Sequence, residues 1–161
     1  MSNFEVCVEA RLALSAEAAF LKMVALDVPT AFQGYGPLPA VVAIEGTPIW
    51  EAAGQQRTLR LADHSSLVET LTTIDPPHGY TYSADQFSSA FRYLIKCARA
   101  SWRFLPQAGG GPSTGGCVMR WSYRYLPRHW WTSPLVWLIS HTVWRAYMRR
   151  SIRRCAAAIC D

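Results

Sequence analysis

Hydrophobic and polar residues alternate along seven separate runs of the sequence. A two-residue period places alternate side chains on opposite faces of an extended segment, so each run predicts a β-strand. Turn-forming residues separate most neighbouring runs, and short connections of this kind favour antiparallel pairing of consecutive strands. The pattern therefore predicts a meandering antiparallel sheet, with strands at residues 4–14, 41–45, 56–62, 66–74, 80–86, 94–105 and 117–126.

Two short helical segments are predicted between the first and second strands. Ser15 is a residue of the type that caps helix N-termini, and Glu17 follows in the first turn, so a helix is expected from there to about Val24. Residues 30–40 contain too many Gly and Pro residues for more than one further helical turn.

The hydrophobic period changes after Pro134. From there apolar residues recur at steps of three and four, which is the spacing of one face of an α-helix, and Arg145, Arg149 and Arg153 fall on a different face. The pattern predicts an amphipathic helix of about 26 residues. The stripe expected to pack on the sheet consists of Trp137, His141, Trp144, Met148, Ile152, Cys155 and Ile159.

A curved sheet followed by one long helix belongs to the α+β class. The chain has 161 residues, which suffice for one compact core and are too few for two ordinary domains, so a single domain over residues 1–161 is expected. A content of 50% hydrophobic and 17% charged residues argues against intrinsic disorder.

The first residues and the cysteines bear on the compartment. Glu5, Glu9 and Glu17 interrupt the stretch where a signal peptide needs a basic start and an unbroken apolar run. Five cysteines, an odd number without a CxxC pair, fit reduced thiols better than a disulfide framework. A cytoplasmic protein is the expectation.

The net charge of +5 conceals two halves of opposite sign. Residues 1–85 contain four basic and ten acidic residues, whereas residues 86–160 contain twelve basic residues and no acid. A basic surface is therefore expected, and either the acidic half balances it or it faces an anionic partner or membrane. Nucleic acid is disfavoured as that partner, because the basic run lies beside bulky apolar residues and matches no reading motif.

The tryptophan-rich stretch at residues 130–144 raises the question of a membrane span. Arg145 follows too early for the roughly 20 apolar residues that a span needs. A helix that covers the core is the first interpretation. In the alternative, the same helix also touches a membrane surface through Trp130, Trp131 and the arginines.

Strand alternation also predicts which side chains face inward. The last two strands alternate aromatic and other apolar residues with arginines and serines, which places Trp102, Met119, Trp121 and Tyr123 on the inner face. Between the third and fourth strands, a turn at Asp63 and His64 predicts that Arg57, Leu59 and Leu61 share the inner face with Val68, Thr70 and Thr72. Arg60 and Glu69 then form an ion pair on the outer surface.

Because one helix covers only part of a curved apolar face, the remainder is filled either by side chains or by a guest molecule. The predicted inner residues combine aromatic rings, small residues and a few polar groups, which is typical of a small-molecule pocket. A fully packed core is the alternative interpretation.

The order of elements and several local motifs resemble the SRPBCC superfamily of START-like or helix-grip proteins. The stretches GQQRTLRLAD at residues 54–63, LVETLTTIDPP at 67–77 and MRWSYRYLPR at 119–128, with FQGYGPLPAV starting at Phe32, are similar to the polyketide cyclase/dehydrase branch. One departure is the pair Asp63 and His64, where the branch commonly has Asp-Gly.

The resemblance implies a helix-grip fold with a hydrophobic cavity between the sheet and the C-terminal helix, and neither a metal nor a bound organic cofactor. The positions of the four histidines are consistent with the absence of a metal, since they are scattered without a second ligand at a usable spacing. Arg57, Tyr82 and His141 are the candidate catalytic residues, because a cyclase needs a cation or donor for an enolate oxygen and groups that move protons. The candidate ligand-binding residues are Leu59, Thr70, Trp102, Met119, Trp121, Tyr123, Trp144 and Met148.

Two classes of function follow. One is a polyketide cyclase-like enzyme whose basic half docks an acyl carrier protein. The other is a non-catalytic carrier of a lipid or quinone that works at an anionic membrane surface. Each candidate residue also has a plain structural interpretation as part of a packed core.

Overall fold

Seven antiparallel strands form one curved sheet in the computed structural model, which describes residues 4–109 and 113–161. The spatial order is β1-β7-β6-β5-β4-β3-β2, so every consecutive pair of strands is adjacent except β1 and β2. All seven predicted strands are confirmed, whereas the loop predicted at 107–116 includes residues 110–112, which lie outside the described part. The strands are Glu5–Leu12 (β1), Val41–Gly46 (β2), Gln56–Leu61 (β3), Ser66–Asp75 (β4), Gly79–Asp85 (β5), Ile95–Pro106 (β6) and Cys117–Pro127 (β7).

The sheet curves because several of its ladders are interrupted. Register shifts occur in β2 between Val41 and Ala43, in β4 between Leu71 and Thr73, and in β6 between Ile95 and Cys97. An irregularity of this kind bends the strand and increases its local twist. The inner face of the sheet therefore becomes concave.

Two short helices join β1 to β2, as predicted. They are Ala16–Val24 (α1) and Val28–Ala31 (α2), and the Ser15 side chain accepts a hydrogen bond from the Ala18 backbone N–H at 3.2 Å. This contact satisfies one of the free N–H groups of the first helical turn. A further short helix, Phe91–Leu94 (α3), lies between β5 and β6 and is not predicted by the sequence pattern.

A long helical segment follows β7 and packs into the concave face. It starts with a 3₁₀ turn, Trp130–Thr132, and continues as Ser133–Ile139 (α4), a π-helical turn Ser140–Trp144, and Arg145–Cys160 (α5). Met148, Ile152, Cys155 and Ile159 are buried against the sheet, as the stripe predicts. Each fully buried aliphatic side chain stabilises the fold by about 1.5–3 kcal/mol. The α+β helix-grip fold is confirmed.

The π-helical turn changes which residues of α4 face the core. Val136 and Ser140 are buried, whereas Trp137 is exposed and His141 is partly exposed. A π-helical turn accommodates one extra residue, so the segment before it is rotated by about 100° relative to a regular helix. The prediction that Trp137 and His141 belong to the buried stripe is therefore wrong.

The register between β3 and β4 also differs from the prediction. Leu61 N–H donates to the Ser65 carbonyl at 2.9 Å, which leaves a loop of three residues rather than two, and His64 has a φ of 65°. A change of one residue in the loop moves every side chain of the following strand to the opposite face. As a result Glu69, not Thr70, is the partner of Arg57.

Several predictions fail for this reason, since Val68 and Thr72 also lie on the outer face. Thr70 lies on the outer face, where its hydroxyl accepts a hydrogen bond from the Gln56 side chain at 3.1 Å. The predicted surface pair of Arg60 with Glu69 does not form, because Arg60 instead holds Glu45 through two hydrogen bonds of 2.8 Å.

Candidate functional site

A cavity of about 300 Å³ lies between the concave sheet, the C-terminal helix and the loops at one end of the sheet. Its volume is at the lower end of the range for small-molecule pockets. Seven of the residues predicted to form a site line this cavity: Arg57, Leu59, Tyr82, Trp102, Trp121, Tyr123 and Trp144. The interior is therefore not completely filled by side chains.

The remaining predicted ligand-binding residues lie elsewhere. Met119 and Met148 are fully buried in the core and are not part of the cavity lining, and Thr70 is on the outer face. The two methionines belong to the buried core, as an inward-facing position predicts, but they do not reach the cavity surface. Strand parity identifies a face and does not locate a void within it.

Aromatic rings form much of the cavity wall. The indoles of Trp102 and Trp121 are direct cross-strand partners on β6 and β7, and they stack with centroids 4.9 Å apart and planes at 6°. The Trp144 ring lies 4.6 Å from that of Tyr123. Offset and stacked pairs at such distances are stabilising, so these walls are rigid and flat.

A buried ion pair between Arg57 and Glu69 is the main charged feature of the cavity. The Arg57 Nε donates to Glu69 Oε2 at 2.7 Å, and the two side chains are only 9% and 8% exposed. The guanidinium carbon also lies 4.3 Å above the centroid of the Trp50 ring. Direct cross-strand pairing and the aromatic surface together hold both charges in a fixed geometry.

The Arg57–Glu69 pair leaves hydrogen-bonding capacity unused. Among the described residues, the Arg57 guanidinium donates only through Nε, and Glu69 Oε1 has no protein partner. Both residues belong to the cavity lining. The two Nη groups of Arg57 and one carboxylate oxygen of Glu69 are therefore available to a molecule in the cavity. Sequence reasoning placed Glu69 on the outer surface and did not single out Trp50.

Neutral hydroxyl groups accompany the charged pair. Burial raises the pKa of both Tyr82 and Tyr123 well above 10, and the nearby negative charge of Glu69 raises each further. Neither hydroxyl hydrogen-bonds to another group in the part of the chain that the structure describes. Both phenols consequently remain protonated at neutral pH and present O–H donors.

Several indole N–H groups in the lining also lack an acceptor. The Nε1 atoms of Trp50, Trp121 and Trp144 are buried and make no hydrogen bond within residues 4–109 and 113–161. An unpaired buried donor costs about 1–3 kcal/mol. These N–H atoms expose almost no surface, so the structure does not present them to a molecule in the cavity.

His141 lies outside the cavity. Its Nδ1 is 2.9 Å from the Trp137 carbonyl oxygen, and its ring stacks on that of Trp137 at 4.7 Å. The residue sits in the π-helical turn and is absent from the cavity lining, so the structure does not bring it together with Arg57 and Tyr82. The rotation of α4 accounts for this.

Basic side chains occupy the outer face of the sheet. Arg99 is directly opposite Arg124, and Arg103 is opposite Arg120, while the Arg120 Nε donates to Glu9 Oε1 at 2.6 Å. Because these arginines lie at directly opposed positions on one face, that face has an excess of positive potential. The acidic half of the chain balances only part of it.

Two further properties of the described residues concern metals and membranes. Within these residues, no group of three or more His, Cys, Asp and Glu side chains is placed to hold a metal ion. None of the described helices has the length and apolar character needed to cross a bilayer.

Comparison with known proteins places the chain in a family. The family model for "Polyketide cyclase / dehydrase and lipid transport" matches residues 5–159. The chain belongs to this family. The resemblance to the SRPBCC polyketide cyclase/dehydrase branch is thereby confirmed, although the family includes both enzymes and lipid transporters. No curated protein sequence matches the chain.

Solved structures of low sequence identity share the fold of this family member. Ara h 8.0201 is 12% identical, covers 96% of each chain and has a TM-score of 0.62. Norcoclaurine synthase from Thalictrum flavum, in complex with dopamine and hydroxybenzaldehyde, is 14% identical, covers 95% of this chain and 84% of its own, and has a TM-score of 0.65. At such identities the similarity establishes the helix-grip fold alone.

Proposed function

We propose that the protein binds a small hydrophobic carbonyl compound in the cavity and catalyses its aldol-type cyclisation or dehydration. The observation that carries this proposal is the Arg57–Glu69 pair, which is buried among aromatic rings and has unused donors and one unused acceptor. Such a site combines a base with a cation in a place sheltered from water, which is what enolate chemistry requires.

The balance of donors and acceptors supports a ligand rich in carbonyl oxygens. The cavity offers two protonated phenols and the free N–H groups of one guanidinium. Carbonyl oxygens accept hydrogen bonds and carry no donor of their own, so a polyketide-like compound complements this set. The cavity of about 300 Å³ suits a compound of two or three fused rings.

The proposed reaction conserves protons. Glu69 accepts a proton from the carbon between two carbonyl groups, and a free N–H of Arg57 stabilises the enolate oxygen that results. The enolate carbon attacks a second carbonyl carbon of the same molecule and forms the new C–C bond. Glu69 then returns its proton to the oxygen of the attacked carbonyl, while Tyr82 donates a hydrogen bond to the ligand.

The comparison structures lend support of a general kind. Norcoclaurine synthase, solved with dopamine and hydroxybenzaldehyde, is a related fold that accommodates small aromatic compounds, including an aldehyde. The stacked indoles of Trp102 and Trp121 would give the present protein a similar flat wall for an aromatic or polycyclic guest.

Mass spectrometry of products from a reactive poly-β-keto thioester tests the enzymatic proposal. The protein is expected to change the distribution of cyclised products, and Glu69→Gln is expected to restore the distribution seen without protein. Glu45→Gln, which alters a carboxylate exposed on the surface, serves as the matched control. Products that remain unchanged by the wild-type protein over several chain lengths would contradict catalysis.

The basic outer face suggests how such a substrate would arrive. Because acyl carrier proteins are acidic, the opposed arginines of β6 and β7 provide a complementary surface for one. A carrier-bound thioester is then expected to react faster than a small thioester at low salt, with the advantage lost at high salt. Arg103→Gln should reduce that advantage without changing the reaction of the small thioester.

A second candidate function is the non-catalytic transport of a lipid or quinone. The observation that favours it is a group of exposed tryptophan and leucine side chains near the start of the C-terminal helix. Native mass spectrometry of freshly purified protein, followed by extraction, would identify a retained lipid or quinone. In that case the wild type and Glu69→Gln should retain the same compound, and neither should change it.

A further inference from the structure

Five large apolar side chains are exposed on one surface at the start of the C-terminal helix. Trp130 is 82% exposed, Trp131 61%, Leu135 46%, Trp137 46% and Leu138 51%. We refer to these five residues as the tryptophan surface. Isolated exposed apolar residues are common, but a contiguous group of this size marks a contact site for another molecule.

The arrangement of these residues on the helix makes the surface continuous. Trp131, Leu135 and Leu138 are spaced by four and three residues, so they lie on one side of α4. Trp130 contacts Trp131 with ring centroids 6.1 Å apart. Trp131, Leu135 and Leu138 therefore form an apolar ridge that Trp130 extends, and Trp137 lies about 100° round the helix from Leu138.

The π-helical turn Ser140–Trp144 keeps part of this surface in solvent. If the same residues formed a regular α-helix, Trp137 would continue the buried stripe of Met148 and Ile152. The turn instead directs the smaller Val136 and Ser140 to the core. The fold thus retains an irregular turn that leaves a tryptophan exposed, and such turns occur often at functional sites.

Exposed arginines flank the tryptophan surface along the chain. Arg128 precedes it and Arg145 follows it, both exposed, and the Arg128 Nε donates to the Arg92 carbonyl of the adjacent α3 at 2.7 Å. Residues 86–160 contain twelve basic residues and no acid. A partner of complementary chemistry is therefore apolar at its centre and anionic at its edge.

We propose that the tryptophan surface docks on an anionic lipid bilayer, with the indoles at the level of the headgroups and the arginines beside the phosphates. Tryptophan is the side chain that favours this interface, because its ring is apolar and its N–H group is polar. Helices with an apolar face next to a basic one lie in the interface rather than across the membrane. The ionic part of the attraction is screened by salt.

The surface is placed to bring the bilayer close to the cavity. Phe91 of α3 lines the cavity, while Tyr93 of the same short helix is 62% exposed beside the tryptophan surface. At the end of the π-helical turn that follows α4, Trp144 also lines the cavity. A ligand that partitions into lipid would therefore have a short path to the site, whether the protein transforms that ligand or only carries it.

Co-sedimentation with vesicles tests the proposal. We expect the protein to bind vesicles that contain phosphatidylglycerol and phosphatidylcholine at low salt. Binding to vesicles of phosphatidylcholine alone, or to either kind of vesicle at high salt, should be at least about tenfold weaker. The triple variant Trp130→Ser, Trp131→Ser and Trp137→Ser should lower the partition coefficient for anionic vesicles by at least about tenfold. Leu21→Ser and Val42→Ser are matched controls, because these side chains are 58% and 55% exposed on other elements.

A second measurement does not depend on any variant. Brominated lipids should quench the fluorescence of the exposed tryptophans of the wild type more strongly than that of Trp50, Trp102 and Trp121, which are buried. Binding of the triple variant at the wild-type level, or absence of quenching, would overturn the proposal. So would a dimer in solution that the triple variant abolishes, since a second copy would then cover the surface. Failure of vesicle binding leaves the product assay on the cavity unaffected, so the two proposals fail separately.

Discussion

Replacement of Arg57 by Met tests whether the ion pair in the cavity is shielded from water. Arg57→Met preserves most of the side-chain volume but leaves Glu69 without a partner at a position that is 8% exposed. Loss of one member of a buried ion pair costs about 3–5 kcal/mol, chiefly through the uncompensated charge. For a chain of this length such a loss lowers the melting temperature by roughly 6–20 °C.

The Arg60–Glu45 pair provides a matched control on the neighbouring strands. It has two hydrogen bonds of 2.8 Å, against one of 2.7 Å for Arg57 and Glu69, but its side chains are 47% and 57% exposed. An exposed pair is screened by water and contributes little to stability. Arg60→Gln should therefore cost much less than Arg57→Met, although it breaks more hydrogen bonds.

Glu69→Gln and the double variant of Arg57→Met with Glu69→Gln complete a double-mutant cycle. The neutral amide still accepts a hydrogen bond from Arg57, and the Arg57 cation still lies over the Trp50 ring. This variant should therefore lose only about 1–3 kcal/mol of the free energy of unfolding. In the double variant the unpaired carboxylate is gone. We expect it to be more stable than Arg57→Met alone, with a coupling energy of about 2 kcal/mol between the two sites.

Urea unfolding at neutral pH, followed by circular dichroism, gives the free energy of unfolding of the wild type and of each variant. The reasoning is refuted if Arg57→Met and Arg60→Gln have equal effects within about 1 kcal/mol. That result would mean that water fills the cavity and solvates Glu69. The low-dielectric setting on which the proposed enolate chemistry depends would then be absent.

Three other measurements address the turns and the pocket. His64→Gly should raise the free energy of unfolding by about 0.5–1 kcal/mol in thermal or urea denaturation, because His64 has a φ of 65°. Deletion of Thr142 should convert the π-helical turn to α-helix and change stability by less than about 1 kcal/mol, whereas deletion of Arg149 should unfold the protein by rotating the rest of α5 away from the sheet. Burial raises the pKa of Tyr82 and Tyr123 above the unfolded value near 10, so the free energy of unfolding should fall as pH rises above about 10. The phenolate absorbance of these two residues should then appear only with unfolding.

Regular periodicity accounts for the parts of the structure that the sequence predicted. The alternation in β6 and β7 correctly places Trp102, Trp121 and Tyr123 on the inner face, because beyond the register shift at residues 95–97 the two strands keep a fixed two-residue repeat. The buried stripe of α5 is predicted for the same reason. Seven of the candidate site residues reach the cavity on this basis.

The predictions that failed depend on local irregularities that leave no periodic signal. A loop of two or three residues after β3 is compatible with the same sequence pattern, yet the choice decides whether Glu69 or Thr70 faces inward. The substitution of His64 for the usual glycine gave a hint that this turn was unusual. The π-helical turn has no comparable marker, since Ser140–Trp144 is an ordinary helical sequence.

Both irregularities occur where the molecule has features that a packed core does not need. The three-residue loop puts a carboxylate beside Arg57 in an aromatic cavity, and the π-helical turn keeps Trp137 outside the core. A sequence selected for stability alone would follow the regular strand and helix repeats throughout. A buried charge pair adds little stability over apolar packing, and an exposed tryptophan adds less. Departures from the expected pattern therefore support a functional interpretation of both the cavity and the tryptophan surface.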